Sequence, residues 1–188
     1  FEDGERYNWN YVPIDRKGIP LRELSSAQRE AGLNLLRIAL SDSGYNKTIA
    51  ITQLEQVLKV VENRGATDDY RHPEKYYFSI FGDPVADSVW GWRFEGHHVA
   101  FNFSSDNNQL VSGTPGFLGS NPAIVLKKKK KGKQILRDET ELGFALLHSL
   151  DATQIEKAVI DKTAPGEILT AASRKAMISD LKGILFSD

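Results

Sequence analysis

The stretch WGWRFEGHHVAFNF, from Trp90 to Phe103, decides the fold. It is the densest run of aromatic, charged and histidine residues in the chain, and turn-rich segments stand on both sides of it. Apolar and polar residues alternate through its second half, so that Val99, Phe101 and Phe103 share one face of an extended chain. This period of two is typical of a half-buried strand.

The segments around this stretch predict one antiparallel meander. Aromatic and β-branched residues favour strands over 76–82, 90–95, 98–104 and about 109–112. Gly96 lies where a turn or bulge must join the second and third of these strands. The segment TPGFLGSNPA, residues 114–123, contains two prolines and two glycines and is expected to be a loop.

Helical periodicity marks the segments before and after the sheet. Ser25 and Gln28 match a capping box, and Ile51, Leu54 and Leu58 follow the spacing of a core-facing helical stripe. Helices are predicted over 25–42, 48–63, 138–150, 152–162 and 170–186. The fold class is therefore α+β, a central antiparallel sheet (meander) flanked by about five α-helices in a single domain over residues 1–188.

Residues 1–20 have no helical period and are expected to form an irregular N-terminal arm. Its rings at Tyr7, Trp9 and Tyr11 are spaced by two residues, so they lie on one face if the arm is extended. We expect these rings to anchor the arm to the body of the domain. Self-association of two chains through the arm is the alternative.

The composition excludes several classes of protein. The chain has 188 residues, of which 40% are hydrophobic, and a formal net charge of −1, so a core can form and no global field attracts nucleic acid. It has no apolar run near the ~18 residues of a membrane span. Cysteine is absent, which removes disulfides, thiolate metal sites and a cysteine nucleophile.

The run from Lys127 to Lys131 is the one local cluster of charge. Its neighbours are AIVL and QIL, a pattern that favours a hairpin with a solvated, lysine-rich tip. Nucleic-acid binding would require stacking aromatics or a broad basic face beside the cluster, and the sequence has neither. Nucleic acid is therefore not an expected partner.

The EGHH motif of Glu95, His97 and His98 contains the chemistry of the central stretch. Imidazole and carboxylate side chains bind metals and move protons near neutral pH. In a regular strand Glu95 and His97 share one face and His98 points to the other, so both histidines meet only if Gly96 bulges the backbone. His98 is the more accessible candidate ligand, and zinc or copper is the class of metal that these side chains favour.

Three further residues are candidates for binding. Arg71 lies just before the first predicted strand and can clamp an anion, or instead pin a loop through carboxylate or carbonyl bonds. Trp92 belongs to the aromatic part of the central stretch, and Asn102 shares the predicted face of His98. Together with Glu95, His97 and His98, these residues define the predicted site.

The chain resembles DUF3500, a largely bacterial family of unknown function. The segments RHPEKYYFSIFGDP, WGWRFEGHHVAFNF and TPGFLGSNPA resemble the family in that order, and LSSAQREAGLNLLRIALSDSGY and LHSLDATQIEKA also fit. The resemblance implies no settled activity. It implies export and a longer domain with a further C-terminal region, so that this chain is expected to be a fragment that begins at Phe1. The lysine run departs from the family's usual hairpin.

Two hypotheses for function follow. In the first, the protein is an exported, secreted or periplasmic, metal-dependent enzyme with its site at EGHH, where Glu95 is a ligand or general base. In the second, it is a non-catalytic binding or assembly module that presents WGWRFEGHH as an aromatic platform. An unidentified small molecule or protein is the partner in either case, and the sequence leaves open whether the protein is an enzyme.

Overall fold

The computed structural model describes residues 4–126, 130–173, 175, 177 and 182–185. Contacts divide the chain into two compact units, residues 1–135 and residues 136–188. The central stretch lies in the first unit, together with the buried core of the described residues.

The first unit is built on an antiparallel sheet. Its strands in the described residues are β1 (Ile19–Pro20), β2 (Tyr77–Phe81), β3 (Val89–Gly96), β4 (Val99–Asp106), β5 (Gln109–Ser112) and β6 (Gly116–Leu118). They follow the order β1-β2-β3-β4-β5, and β6 pairs with β4 beside this path. The predicted α+β class and its central antiparallel meander are confirmed.

The turn between β3 and β4 lies one residue later than predicted. Gly96 pairs with Val99 inside the ladder, and His97 and His98 form the two-residue turn, with His98 at φ 60°. The glycine is required for a different reason, because a Cβ at Gly96 would lie 2.3 Å from Cδ1 of Tyr76. Gly96 therefore permits close packing and does not bend the chain.

The expected loop over 114–123 contains a short strand. Residues 116–118 form β6, in which Gly116 pairs with Phe101 and Leu118 with Val99. β5 pairs with β4 only from Ser104 to Asp106. Without β6, the first residues of β4 would present unpaired backbone groups. The prolines of this segment lie outside the strand.

Three helices lie between β1 and β2 in the chain, and the first two pack on one face of the sheet. They are α1 (Ser26–Ala39), α2 (Asp42–Thr52) and α3 (Leu54–Val61). The predicted capping box is present, since the Ser25 side chain accepts from the Gln28 amide and the Gln28 side chain from the Ser25 amide. The core cluster of the described residues joins α1 and α2 to the sheet, with Leu36, Ile51, Phe78, Trp92, Phe94, Val99 and Phe103 among its buried residues.

The helix predicted over 48–63 begins earlier and is interrupted. Ser41 caps α2 by accepting a hydrogen bond from the Gly44 amide at 3.1 Å, so the helix begins at Asp42. Gln53 alone separates α2 from α3. Counted as one interrupted helix, this pair leaves four helical segments in the described residues where about five were expected.

The other face of the sheet is covered by the N-terminal arm. Trp9 and Tyr11 are buried, as the anchoring prediction requires, whereas Tyr7 is 44% exposed. Arg93 of β3 reaches the arm through Glu5, with 2.7 Å between Nη2 and Oε1. The side chains of β3 therefore alternate between a hydrophobic face and a charged face that are both buried.

The second unit contains α4 (Arg137–Ser149) and α5 (Ala152–Ala158). Asp151 and Gln154 form a capping box at the start of α5. The helix predicted over 170–186 is wrong where the structure describes it, because residues 170–172 form a turn and none of residues 173, 175, 177 and 182–185 is helical. The other residues of this segment lie outside the described part. Within the lysine run, residues 127–129 also lie outside the described part, and the Gly132 amide donates to the Val125 carbonyl at 2.7 Å.

Candidate functional site

The β3–β4 turn brings the two adjacent histidines together. The ring centroids of His97 and His98 lie 4.1 Å apart with 38° between the ring planes. The prediction that the two side chains point to opposite faces is wrong, because it assumed strand geometry at positions that form the turn. The site therefore extends from the end of the hairpin and not from a sheet face.

His97 is held by a carboxylate from the helical layer. Its Nδ1 makes a short contact with Oε1 of Glu55, which lies on α3, and both side chains are buried. Nδ1 also lies near the Arg71 guanidinium, which can only donate, so one nitrogen cannot hydrogen-bond both groups. The contact with Glu55 is the shorter one and a carboxylate oxygen can only accept, so we assign the proton of the neutral imidazole to Nδ1. The other ring nitrogen, Nε2, has no hydrogen-bond partner among the described residues.

Arg71 completes the charged surroundings of His97. Its guanidinium lies 3.1 Å from Nδ1 of His97 and 3.7 Å from Oε2 of Glu55, and it bonds Oε1 of Glu62 at 2.6 Å. These hydrogen bonds from Arg71 lower the pKa of Glu62. Arg71 is therefore engaged with two carboxylates, which matches its predicted role as a residue that pins a loop.

Tyr76 fixes the backbone of the histidine turn. Its hydroxyl donates to the carbonyl oxygen of His97 at 2.9 Å, and the ring is 1% exposed. Burial raises the pKa of Tyr76 well above its usual value, so the hydroxyl remains a donor. The Tyr76 ring occupies the space that the missing side chain of Gly96 leaves open.

A pocket opens beside His97. It is small and partly open to solvent, with a cavity volume of about 10 Å³, which is room for about one water molecule. Its wall includes residues of the arm, of α3 and of the segment that precedes β2, namely Pro13, Ile14, Arg16, Glu55, Tyr70, His72, Lys75, Tyr76 and His97. Both polar and apolar groups line it.

His98 packs beside the pocket histidine and is not in the pocket wall. It is half-buried, and the edge of its ring faces Phe117 at 6.4 Å between centroids. Burial, followed by the nearby His97 and Arg71, lowers the pKa of His98 to about 4. His98 therefore stays neutral near pH 7. It is more exposed than His97, as predicted, but of these two histidines only His97 lines the pocket.

Glu95 belongs to a different cluster. Its carboxylate lies 2.8 Å from Nε of Arg93 and 3.5 Å from Nε of Arg16, and it accepts the amide of Asn10 at 2.8 Å. Burial raises the pKa of Glu95, while Arg93 opposes this shift. Glu95 connects the arm to β3, and its carboxylate bonds Arg93, Arg16 and Asn10 but neither histidine of the turn.

Trp92 and Asn102 also have structural surroundings. Trp92 is 3% exposed and stacks on Phe103 with 4.3 Å between ring centroids, so it is part of the core. Asn102 donates from its side chain to the carbonyl of Pro115 at 2.9 Å and so holds the loop before β6. Of the predicted site residues, the structure brings Arg71, His97 and His98 together.

The surroundings of His97 do not fit a metal ion. The described residues contain no cluster of three or more histidine, cysteine, aspartate or glutamate side chains that could hold one. A guanidinium 3.1 Å from Nδ1 of His97 would also repel a cation at that nitrogen. Glu95, His97 and His98 therefore do not form the ligand set that the sequence suggested.

Sequence reasoning missed the residues that surround His97, above all Glu55. A signal for Glu55 was present, because it stands four residues after Ile51 and three before Leu58, inside the apolar stripe of a helix. A carboxylate in such a stripe must find a partner when it is buried. No comparable local signal connects His72 or Tyr76 with a histidine more than twenty residues away.

Comparison with known families supports the resemblance. The family described as "Protein of unknown function (DUF3500)" matches residues 1–188, the whole chain. The chain belongs to this family. No curated protein and no solved structure matches it. In the described part of this family member, no helix is both long enough and apolar enough to span a membrane.

Proposed function

We propose that this protein is an enzyme in which His97 transfers a proton to or from a small substrate in the pocket. The observation that carries the proposal is the contact between Glu55 and Nδ1 of His97 in the pocket wall. A carboxylate in this position fixes the tautomer of the imidazole and stabilises its protonated form. The lone pair of Nε2 then becomes the basic group.

Charged side chains surround His97. Glu55 and Glu62 are acidic, Arg71 contacts both, and Arg64 also contacts Glu62. Glu55, Arg71 and His97 are buried, so their mutual interactions are screened less than those of surface charges.

The pocket wall indicates the reaction class. Its residues include no serine, threonine or cysteine. A covalent route of the serine- or cysteine-hydrolase type therefore has no nucleophile there. General-base chemistry needs only His97 and a water or a substrate proton, so we assign the site to proton transfer.

We do not propose a metal-dependent enzyme. The Arg71 guanidinium would repel a cation at His97, and Glu95 belongs to a different cluster of charged side chains. The non-catalytic alternative requires an exposed aromatic platform, and Trp92 is buried in the core. The arm that could join two chains lies on the sheet of its own chain, with Glu5 and Trp9 buried. Elemental analysis that finds stoichiometric zinc or copper in purified protein would restore the metal-dependent form.

Export is part of the proposal, and its support is the family resemblance alone. Cell fractionation of the native protein tests it, and recovery in the cytoplasm would contradict it. The proposed chemistry does not depend on the compartment, since the site contains no cysteine.

The catalytic role is tested by replacing the groups of the dyad one at a time. Turnover of a panel of small esters, lactones and hydroxy carbonyl compounds is measured for the wild type, His97→Asn and Glu55→Gln. The asparagine amide keeps a donor towards Glu55 but removes Nε2, so we expect an intact fold and a loss in kcat/KM of about 10²–10⁴-fold. His148→Asn, in the second unit, is the matched control. Equal turnover by wild type and His97→Asn would contradict the proposal.

A further inference from the structure

The pocket contains a second imidazole whose tautomer is also fixed. Nδ1 of His72 accepts a hydrogen bond from the backbone amide of Glu74 at 3.1 Å. A nitrogen that accepts carries no proton, so the proton of neutral His72 is on Nε2. Nε2 of His72 has no hydrogen-bond partner among the described residues, and His72 lines the pocket.

The local sequence holds His72 rigidly. Residues 72–75 read HPEK, and the amide of Lys75 donates to the carbonyl of His72 at 3.1 Å, which closes a β-turn. Pro73 occupies the second position of this turn, where its fixed φ is favoured. Glu74 is paired with Arg29 of α1, which attaches the turn to the helical layer.

The two pocket histidines therefore have opposite hydrogen-bonding roles. His97 has its proton on Nδ1, facing Glu55, and offers an acceptor at Nε2. His72 has its acceptor on Nδ1, facing the turn, and offers an N–H donor at Nε2. A proton acceptor and a neutral donor in one small pocket are the two groups that proton abstraction beside a carbonyl requires.

We propose that His72 is a second catalytic residue and that the substrate is a small carbonyl compound with an acidic α-hydrogen. This inference rests on the proposed role of His97. The α C–H bond breaks, and its proton bonds to Nε2 of His97. The electron pair of that bond forms the carbon–carbon double bond of an enolate, and the carbonyl oxygen takes the negative charge. The N–H of His72 donates to this oxygen, and return of the proton completes a step that needs no oxidant or reductant.

Lys75 supports placing the carbonyl oxygen of the substrate on the side of the pocket where His72 lies. Its ammonium lies 2.8 Å from Asp15 and 4.0 Å from Asp69, and it lines the pocket near the His72 turn. A cation on this wall favours developing negative charge there, although its two carboxylate partners reduce the effect. The Nε2–H of His72 has no such carboxylate partner among the described residues, so it remains available to donate to the substrate oxygen.

The tautomers are tested directly by long-range ¹H–¹⁵N correlation spectra of the uniformly ¹⁵N-labelled chain near pH 7. We expect the Nε2–H form for His72 and the Nδ1–H form for His97. A His72 ring in the Nδ1–H form would overturn the inference and leave the role of His97 intact. A His97 ring in the Nε2–H form would contradict both.

The chemistry is tested by exchange of α-hydrogens of hydroxyacetone in D₂O, followed by proton NMR. Asparagine at residue 72 can still accept from the Glu74 amide but lacks the pocket donor, so His72→Asn should melt like the wild type and slow exchange about 10²–10³-fold. His72→Gln places an amide N–H near the original Nε2 and should exchange faster than His72→Asn.

The outcomes separate the two proposals. Slow exchange by both His72→Asn and His97→Asn supports the inference. Wild-type rates with His72→Asn and slow exchange with His97→Asn overturn the role of His72 alone. A wild type that does not accelerate exchange of hydroxyacetone overturns the substrate class, whereas turnover of esters or lactones that depends on His97 would leave the proposed function standing.

Discussion

At the scale of single residues, His98 gives the fold a dependence on pH. Its pKa is lowered to about 4, first by burial and then by His97 and Arg71, from an ordinary value of 6.5. Between these two values the unfolded chain binds a proton that the folded chain does not, so stability must fall as the pH falls through this window. The effect is limited to at most one proton per chain.

We therefore expect the melting temperature of the wild type to fall as the pH is lowered from 6.5 to about 4, and that of His98→Asn to fall less. Asparagine suits this position because it tolerates the positive φ of 60° that His98 adopts. Thermal unfolding followed by circular dichroism at several pH values measures the difference. His148→Asn should keep the wild-type dependence, and parallel curves for wild type and His98→Asn would contradict the assignment.

Gly96 gives the second prediction at this scale. A Cβ there would lie 2.3 Å from Cδ1 of Tyr76, whose hydroxyl holds the His97 carbonyl. We expect Gly96→Ala to lower the free energy of unfolding by at least about 1–3 kcal/mol. Gly44→Ala is the control, because its Cβ would meet neighbours at 3.4 Å and 3.6 Å in a helix that favours alanine. Urea denaturation measures both variants, and equal effects would contradict the packing role of Gly96.

These residues also mark the limit of prediction from sequence. The alternation of Val99, Phe101 and Phe103 was confirmed, because a period of two is a local property of the chain. The turn was misplaced, because Gly96 is equally suited to bending the chain and to admitting the ring of Tyr76. That choice depends on a contact between residues twenty positions apart, which local patterns do not contain.

At the scale of elements, Arg16 organises the N-terminal arm. Its guanidinium donates to the carbonyls of Ile14, Asn10 and Val12 at 2.6, 3.2 and 2.5 Å. It also reaches the Gly96 carbonyl at 3.2 Å and the carboxylate of Glu95 at 3.5 Å. One side chain thus shapes the arm, attaches it to β3 and supports the start of the histidine turn.

We expect Arg16→Lys to lower the free energy of unfolding by about 2–4 kcal/mol, because an ammonium cannot replace the several directed bonds of a buried guanidinium. Arg137→Lys is the matched control. Its bond to Glu141 is also short, at 2.6 Å, but the two side chains are 63% and 58% exposed. The control should change stability by less than about 0.5 kcal/mol. Similar losses for the two variants would mean that Arg16 has no special part in holding the arm.

The elements of regular structure could be predicted better than their ends and their irregular partners. The capping box at Ser25 appears where the sequence places it, since it depends on residues three positions apart. The arm was predicted to be irregular and anchored by its rings, and Trp9 and Tyr11 are buried. The sequence could not indicate that the arm covers Glu95 or forms a wall of the pocket, because irregular segments have no periodicity from which a face can be inferred.

At the scale of the whole molecule, the stable core lies within the first unit. Its buried hydrophobic residues among the described ones extend from Trp9 to Val125. The helices α4 and α5 of the second unit contain no buried residues. Every residue that we assign to the histidine pocket lies between Pro13 and His97. Folding and the candidate site should therefore both belong to residues 1–135.

We expect a chain of residues 1–135 to unfold cooperatively, with a midpoint close to that of residues 1–188, and to keep the tautomers of His72 and His97. A chain of residues 1–126 is the sharper comparison. It lacks Ile135, which packs against the core, and Lys133, whose carbonyl accepts from the amide of buried Val125 at 3.0 Å. This shorter chain should be less stable, because a buried amide loses its partner and the core loses an apolar contact. Thermal unfolding and NMR of the three chains measure the outcome. If residues 1–135 unfold without cooperativity, the core requires the second unit, and the prediction of one domain over residues 1–188 is the better description.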